Sequence, residues 1–554
     1  MAVIAFEYKD FEREGFSKDQ ADKLIAAVGI EVEESDGAQI KINVTPNRPD
    51  LLDFVGVLRA IRNFSEKKVP QEGFYKVKDE SMLTITVERP VMKIRPYISG
   101  MVVKNLDLSG NKLKNLINFT EKFADTYGRK RKKLAIGIHN LDAIKGGLDY
   151  TADAAGSITP LNGPGKKMGF DQVMKEHEKG TAYQAAIPEY GTKKALYPHL
   201  KDDDKVIALI PITNCEETRV TEKTTELFVD ITGTSLATVR NAAALLACSF
   251  IDAGADVYPI TIDYPKGAET TPVLEYGTRK LSVRKADLTL GVALGRHNIV
   301  QLANKMGYVA AKLGNSVALY IPPYRVDVID ERDLIEDLAI SFGYDNIVPL
   351  PVSGFADGLA QDTMEQENRL ATFMVGLGFM ESVNSSLTSE KVNFGNLRRA
   401  GTKDTYVSIV DAKTTNITML RTDLLPSLLQ NLQDSTGERM PHRLFEVGRV
   451  FAVYGDRLVE AVHLGFVSCH ARANFAEAKA AAEEIMAFSG IDSVKFTQHS
   501  NNAFIEGRCA AVSAGLEVLG VMGEIHPEVL GNFGLEEPAV GAELIVIKEI
   551  KYEV

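Results

Sequence analysis

The chain has 554 residues, enough for about three to five domains, which excludes a single small binding module. Hydrophobic residues make up 45% and charged residues 25%, ordinary globular proportions that exclude disordered, collagen-like and coiled-coil chains. With 63 Lys and Arg against 75 Asp and Glu the net charge is −12, which excludes a uniform basic coat, so any RNA contact needs a local patch.

Four textures follow one another along the chain, over residues 1–80, 81–270, 271–350 and 351–554. In the first, the alternating Ile40-Lys-Ile-Asn-Val predicts a strand. The two prolines of Thr45-Pro-Asn-Arg-Pro-Asp then force an extended turn, and Leu51, Phe54, Leu58 and Ile61 recur at helical spacing. The texture changes near Pro70. The second part opens with the alternating Leu83-Thr-Ile-Thr-Val and holds the strongest basic run, Arg129-Lys-Arg-Lys-Lys. It ends in two predicted strands, Val206-Ile-Ala-Leu-Ile-Pro-Ile-Thr-Asn and Leu227-Phe-Val-Asp-Ile-Thr-Gly-Thr, and an apolar helix over 236–253. The third part is small and mixed: two helix patterns each stop at glycine plus an aromatic, Met306-Gly-Tyr and Phe342-Gly-Tyr, where glycine suits a left-handed C-terminal cap. The fourth begins with a helix ending at Leu377-Gly-Phe and continues through strand-like runs such as Arg443-Leu-Phe-Glu-Val-Gly-Arg-Val-Phe, a larger α+β domain.

Four scattered cysteines, Cys215, Cys248, Cys469 and Cys509, show no C-x-x-C pairing, which fits neither a disulfide scaffold nor structural zinc. Acidic residues from position 7 leave no room for a signal-peptide apolar stretch. The longest apolar run, 242–251, falls short of the ~18–20 residues a membrane helix needs. A cytoplasmic chain without a membrane span is expected.

Three clusters carry possible chemistry. Asp333, Glu336 and Asp337 share one face of a predicted helix, and Asp327 ends the preceding extended segment. Hard oxygen donors without His or Cys suit magnesium or calcium rather than zinc; a solvated helix with early carboxylates at its positive dipole end has the same spacing. The basic run Arg129 to Lys133 offers cations to RNA phosphates or forms an exposed loop. Asn214, Arg219, Asp230 and Thr232 stand on or beside apolar strands, where polar groups cost energy unless paired or serving a pocket. They line a cleft or do ordinary turn and strand-end work. Gly163-Pro-Gly-Lys lacks phosphate-loop spacing, and neither H-E-x-x-H nor G-x-S-x-G occurs.

Taken in order, Val44-Thr-Pro-Asn-Arg-Pro-Asp-Leu-Leu, Ala135-Ile-Gly-Ile-His-Asn-Leu-Asp, Phe228-Val-Asp-Ile-Thr-Gly-Thr, Pro322-Pro-Tyr-Arg-Val-Asp-Val, Met419-Leu-Arg-Thr-Asp-Leu-Leu-Pro and Gly523-Glu-Ile-His-Pro-Glu-Val-Leu make the chain resemble the phenylalanyl-tRNA synthetase β subunit of the archaeal and eukaryotic type. The resemblance runs through essentially the whole chain. It implies a multidomain α+β protein: an N-terminal B1-like domain, a B3/B4-type editing domain, a small B5-type α/β domain, and a class II synthetase catalytic-like module built on an antiparallel sheet. It implies an α-subunit partner in an (αβ)2 tetramer, tRNA(Phe) as a further partner, ATP as substrate of the holoenzyme and charging chemistry on α. Arg443-Leu-Phe-Glu446 resembles class II motif 2, whereas Leu530-Gly-Asn-Phe-Gly-Leu-Glu-Glu-Pro lacks the arginine of motif 3. Carried over residue by residue, editing of Tyr-tRNA(Phe) would use Asp230 and Thr232 as catalytic groups with Asn214 and Arg219 binding substrate. Magnesium would bind Asp327, Asp333, Glu336 and Asp337. Two positions depart from the family pattern: Ala208 where relatives often have serine, and Asp337 in place of the commoner glutamate. A tRNA-binding scaffold and a stand-alone aminoacyl-tRNA deacylase are the rival readings.

Overall fold

The computed structural model describes the chain except for residues 1, 66–70, 193, 204, 353, 355, 436, 456, 548–549 and 552–554. The texture change at Pro70 lies outside the described residues. Two compact units are present, Met1–Pro351 and Val352–Val554.

The first unit starts with a three-stranded antiparallel sheet in the spatial order Ala2–Glu7, Gln39–Val44, Glu31–Ser35. The proline-rich turn ends in a short 3-10 turn, Pro49–Leu52, and Asp53 caps helix α1 (Phe54–Phe64) by accepting from Val55 N–H at 3.3 Å. Side chains of α1 bury into one core with strands β1 (Tyr97–Lys104), β2 (Leu134–Asn140), β5 (Leu227–Gly233) and helix α2 (Leu236–Asp252). These strands belong to a ten-stranded sheet, which runs from the edge strand β4 (Thr213–Asn214) through β3 (Lys205–Leu209) and on to β1, β5 and finally β2 at the other edge. The two edges meet: the Asn214 side-chain amide in β4 donates to the Ile138 carbonyl of β2 at 3.0 Å. A second apolar core fills the space on the other side of the sheet, around Tyr150, Phe170, Leu200 and Phe228.

The small mixed part has a three-stranded antiparallel sheet, Gly277–Ser282, Ser316–Ile321, Val309–Leu313, covered by helix Gly295–Lys305 and helix α3 (Glu331–Phe342). Both helices end where glycine supplies a positive φ, +89° at Gly307 and at Gly343, a region that costs residues with a Cβ.

The second unit is an eight-stranded sheet, antiparallel except where the short strand Met380–Glu381 pairs parallel. Helices Asp362–Gly376 and Phe475–Phe488 bury Leu370, Met374, Ala482 and Ile485 on one face. Helices Leu425–Asp434 and Pro527–Asn532 bury Leu428, Leu432 and Val529 on the other. Arg443 and Glu446 lie on one long strand, His442–Tyr454, and serve separate contacts. Arg443 reaches Glu477 at 3.1 Å, while the buried Glu446 accepts from Arg421 at 2.7 Å and from Asn384 at 2.8 Å. Glu446→Ala would leave the Arg421 charge buried and unpaired, a change that costs about 3–5 kcal/mol. Calorimetry of the full chain is expected to show the transition of residues 352–554 moved down and that of 1–351 in place.

Candidate active site

All seven residues of β5 are buried, yet two of them are Asp230 and Thr232. Strand alternation sends Leu227, Val229 and Ile231 into the core shared with α2 and turns Phe228, Asp230 and Thr232 to the opposite face. The ladder sets Asp230 between Gly100 of β1 and Gly137 of β2. A Cβ at position 137 would lie 1.9 Å from Asp230 Oδ2, so the carboxylate fills the space that this glycine leaves.

His139, fully buried on β2 opposite Phe228, holds that carboxylate. Its Nε2 is 3.1 Å from Asp230 Oδ2 and its Nδ1 is 2.8 Å from Thr218 Oγ1. A carboxylate only accepts, so Nε2–H donates to it; in the neutral ring Nδ1 is then the acceptor that faces the Thr218 hydroxyl. Thr232 is held by Arg95: Nε donates to Thr232 Oγ1 at 3.0 Å and Nη2 to its carbonyl at 2.8 Å. Because Oγ1 accepts from Arg95, its own proton is left to donate. Burial lowers the Arg95 guanidinium to about 10, which leaves it charged at neutral pH. Arg95 Nη1 donates onward to the Arg131 carbonyl at 3.1 Å. Arg131 in turn donates to the carbonyls of Pro211 and Ile212 at 3.0 and 3.1 Å and lies over the Tyr183 ring at 4.1 Å.

Of these side chains, Asp230, Thr232 and Arg131 line a cavity of about 570 Å³. Asn214, Arg219, Asp230 and Thr232 all line it, with an apolar wall that includes Ile136, Ile138, Leu209 and Ile212. The four candidate residues are thus brought together, at different depths. Asp230 and Thr232 are buried, Asn214 is half-buried, and Arg219 sits exposed at the rim. The Arg219 guanidinium is already engaged, with Glu216 at 2.6 and 2.8 Å and Asn162 at 2.7 Å. This pairing lowers the Glu216 carboxyl below its ordinary value. Sequence reasoning did not single out His139, Arg95, Thr218 or Gly137. His139 and Gly137 lie within the quoted segment Ala135-Ile-Gly-Ile-His, but Arg95, 137 positions from Thr232, has no local signal.

Residues 349–546 match the family model for the phenylalanyl tRNA synthetase beta chain CLM domain, and residues 279–344 match the tRNA synthetase B5 domain. The phenylalanine–tRNA ligase beta subunit of Archaeoglobus fulgidus is 35% identical over 98% of each chain, and that of Methanosphaera stadtmanae is 32% identical over 98% of this chain and 99% of its own. The chain belongs to the phenylalanyl-tRNA synthetase β-subunit family. An N-terminal fragment of the phenylalanyl-tRNA synthetase beta subunit from Pyrococcus horikoshii, solved by crystallography, superposes with a TM-score of 0.58 at 28% identity, covering 62% of this chain and all of the fragment. Multidomain α+β architecture with CLM and B5 domains follows, and none of the described helices is long and apolar enough to cross a membrane.

In this β-subunit chain the four carboxylates expected to bind magnesium do not surround one point. Arg325, itself buried, takes Asp327 in a two-point grip at 2.9 and 2.7 Å and reaches Asp337 at 2.5 Å. Asp337 also accepts from the Tyr308 hydroxyl. Burial raises the Asp327 carboxyl, Arg325 and Arg48 pull it down, and the net lies below the ordinary value. Asp333 is spent on the cap of α3, accepting from the N–H groups of Ile329 and Asp330 at 2.7 and 2.8 Å. Glu336 accepts from Tyr344 at 3.2 Å. Among the described residues, no group of three or more His, Cys, Asp or Glu side chains is placed to hold a metal ion. Magnesium needs near-octahedral oxygens at about 2.0–2.1 Å, and a guanidinium between two of the expected ligands does not fit it.

The basic run divides. Arg129, Lys130 and Arg131 form a left-handed turn with φ of 51°, 51° and 62°, a region that costs L-residues about 1–2 kcal/mol each. The turn is held by Lys130 N–H to the Asp125 carbonyl at 2.8 Å and Arg131 N–H to that of Ala124 at 3.0 Å. Arg131 turns inward to the cavity, while Arg129, Lys130 and Lys132 are exposed.

Gly137→Ala should displace the Asp230 carboxylate and lower the unfolding midpoint, since overpacking a filled core costs about 1–3 kcal/mol. Imidazole nitrogen NMR of His139 is expected to move in the same variant. Alanine at the open, exposed Gly147 should change neither reading.

Proposed function

We propose that this chain acts as the β subunit of phenylalanine–tRNA ligase and that its cavity hydrolyses tyrosine wrongly attached to tRNA(Phe). The observation that carries the hydrolytic reading is the convergence of Asn214, Arg219, Asp230 and Thr232 on one cavity, from segments that the sequence separates. Its volume falls within the roughly 300–1,000 Å³ of small-ligand pockets. On this reading residues 1–80 are the B1-like domain, 81–270 the B3/B4-type editing domain, 271–350 the B5 domain and 351–554 the catalytic-like module.

Discrimination explains why such a site is needed. A charging pocket that is merely apolar rejects one extra hydroxyl by only about 10², whereas a site built to hydrogen-bond that hydroxyl rejects the analogue lacking it by about 10⁴–10⁵. The mixed lining here, apolar walls with the polar Asn214 among them, supports a site of the second kind. In the proposed reaction water attacks the ester carbonyl, the carbonyl–ribose bond breaks, and tyrosine leaves with tRNA carrying a free ribose hydroxyl. Asp230, fixed by His139, orients the water, accepts its proton and returns it to the departing ribose oxygen; the Thr232 hydroxyl donates to the oxygen on which charge develops. Arg219 at the rim, with the exposed Arg129, Lys130 and Lys132 on the turn that carries Arg131, faces the phosphates of the acceptor end.

Charging by an α subunit in an (αβ)2 assembly, with ATP consumed there, is the other half of the proposal. Large apolar side chains left exposed on the second unit, Val352, Leu359, Met380 and Val383, support a partner surface. One experiment tests both halves. Mixed with a candidate α chain, the protein should give phenylalanine charging of tRNA(Phe) that neither chain gives alone. In that complex Asp230→Ala and Thr232→Ala should each slow deacylation of Tyr-tRNA(Phe) by about 10² or more, with phenylalanine charging unchanged. Deacylation at the wild-type rate in both variants would remove the hydrolytic site; charging by α without this chain would remove the β-subunit role.

A further inference from the structure

A second cavity, of about 270 Å³, lies between α1, the segment around Tyr75 and the end of strand Ser316–Ile321. The proposed hydrolysis does not use it. Asn63, Tyr324, Arg59 and Gly307 line it. The side-chain amide of Asn63 and the hydroxyl of Tyr324, on residues only 6% and 4% exposed, have no hydrogen-bond partner among the described residues. Both polar groups converge on Gly307, where a Cβ would stand 2.4 Å from Tyr324 Oη and 3.0 Å from Asn63 Nδ2. Buried polar groups are nearly always paired, so two unpaired ones facing one cavity wall point to something that pairs them.

The surroundings set the chemistry of that ligand. Arg59 Nη1 and the Tyr75 hydroxyl both reach Asp252 Oδ2 at 2.8 Å and Asp50 lies 4.0 Å from Arg59 Nη2, so two carboxylates answer the guanidinium charge, while Nη2 itself is buried without a hydrogen-bond partner among the described residues. Arg59 lies 3.7 Å over the Tyr324 ring, Tyr75 meets Tyr324 edge to face at 5.6 Å, and Phe74, half exposed at the rim, meets Tyr75 at 5.0 Å. Aromatic faces of this kind stack nucleobases. An asparagine amide matches the donor and acceptor edge of adenine in two-point fashion. The volume is below the roughly 300–1,000 Å³ typical of whole-ligand pockets, which favours a base over a complete nucleotide. We propose that this cavity binds a neutral purine base with adenine's edge, presented by an RNA strand or as a free nucleoside.

Equilibrium dialysis of the full chain against labelled adenosine, with guanosine in parallel, tests the free source. Filter binding of short oligoadenylate against oligouridylate tests the RNA source. At least one adenine probe should bind saturably and in preference to its partner probe, and Asn63→Ala and Tyr324→Phe should each weaken it about 5- to 100-fold. Tyr324→Phe removes a single oxygen and keeps the ring, and calorimetry of both variants verifies that they fold. Preference for adenosine identifies the nucleoside source, and binding of oligoadenylate alone identifies RNA. Absence of binding by either adenine probe, or equal binding by wild type and both folded variants, overturns the proposal. Deacylation by the Asp230→Ala complex reports on the other cavity, so either proposal can fail alone.

Discussion

A strand buried on both faces has to carry an aspartate and a threonine, and much of the first unit is arranged to make that affordable. Asp230 and Thr232 stand on β5 with sheet neighbours on each side, where an unpaired carboxylate or hydroxyl would cost several kcal/mol. The fold answers with two glycines in register, a histidine bonded at both ring nitrogens, and an arginine that takes both the side chain and the carbonyl of Thr232. Groups satisfied in this way are stiff, because each partner is itself held by another. The stiffness serves a site that has to aim one water and one hydroxyl proton.

Buried arginine recurs as the device that joins distant segments. Arg59 ties α1 to Asp252 at the end of α2, Arg95 ties its loop to β5, Arg325 gathers Asp327 and Asp337, and Arg421 grips Glu446. Each is 5% exposed or less. Five donors in a planar fork let one side chain satisfy several acceptors at once, which a lysine ammonium does with less directional control. The same device decides the acidic cluster of the small mixed part. Hard oxygens in a plausible spacing are set against an internal cation, and the arginine engages two of the four carboxylates that the spacing alone would offer to a metal.

The net charge of −12 is an average over unlike parts. On the left-handed turn, Arg131 is consumed by backbone carbonyls while its neighbours Arg129, Lys130 and Lys132 stay solvated. A run of five cations is therefore part scaffold and part surface.

Local chemistry in the sequence was sufficient for the elements: alternation for Ile40 to Val44 and for Leu227 to Gly233, proline punctuation before α1, and glycine plus an aromatic closing the two helices of the small mixed part. Those signals depend on neighbours a few residues apart, so they survive in one dimension. Asn214, Arg219, Asp230 and Thr232 were legible as polar residues out of place on apolar strands, because the cost of burying them is already a property of their surroundings in the chain. What tertiary structure alone decided is which groups answer them. Arg95 reaches Thr232 across 137 positions and Arg59 reaches Asp252 across 193. The space that admits the Asp230 carboxylate exists only because the sheet register sets Gly137 beside it. Spacing along a helix places Asp333, Glu336 and Asp337 on one face, but it says nothing of the arginine that arrives from the preceding turn. Hydrogen bonds and ion pairs act over a few ångströms in space, and the sequence records distance along the chain.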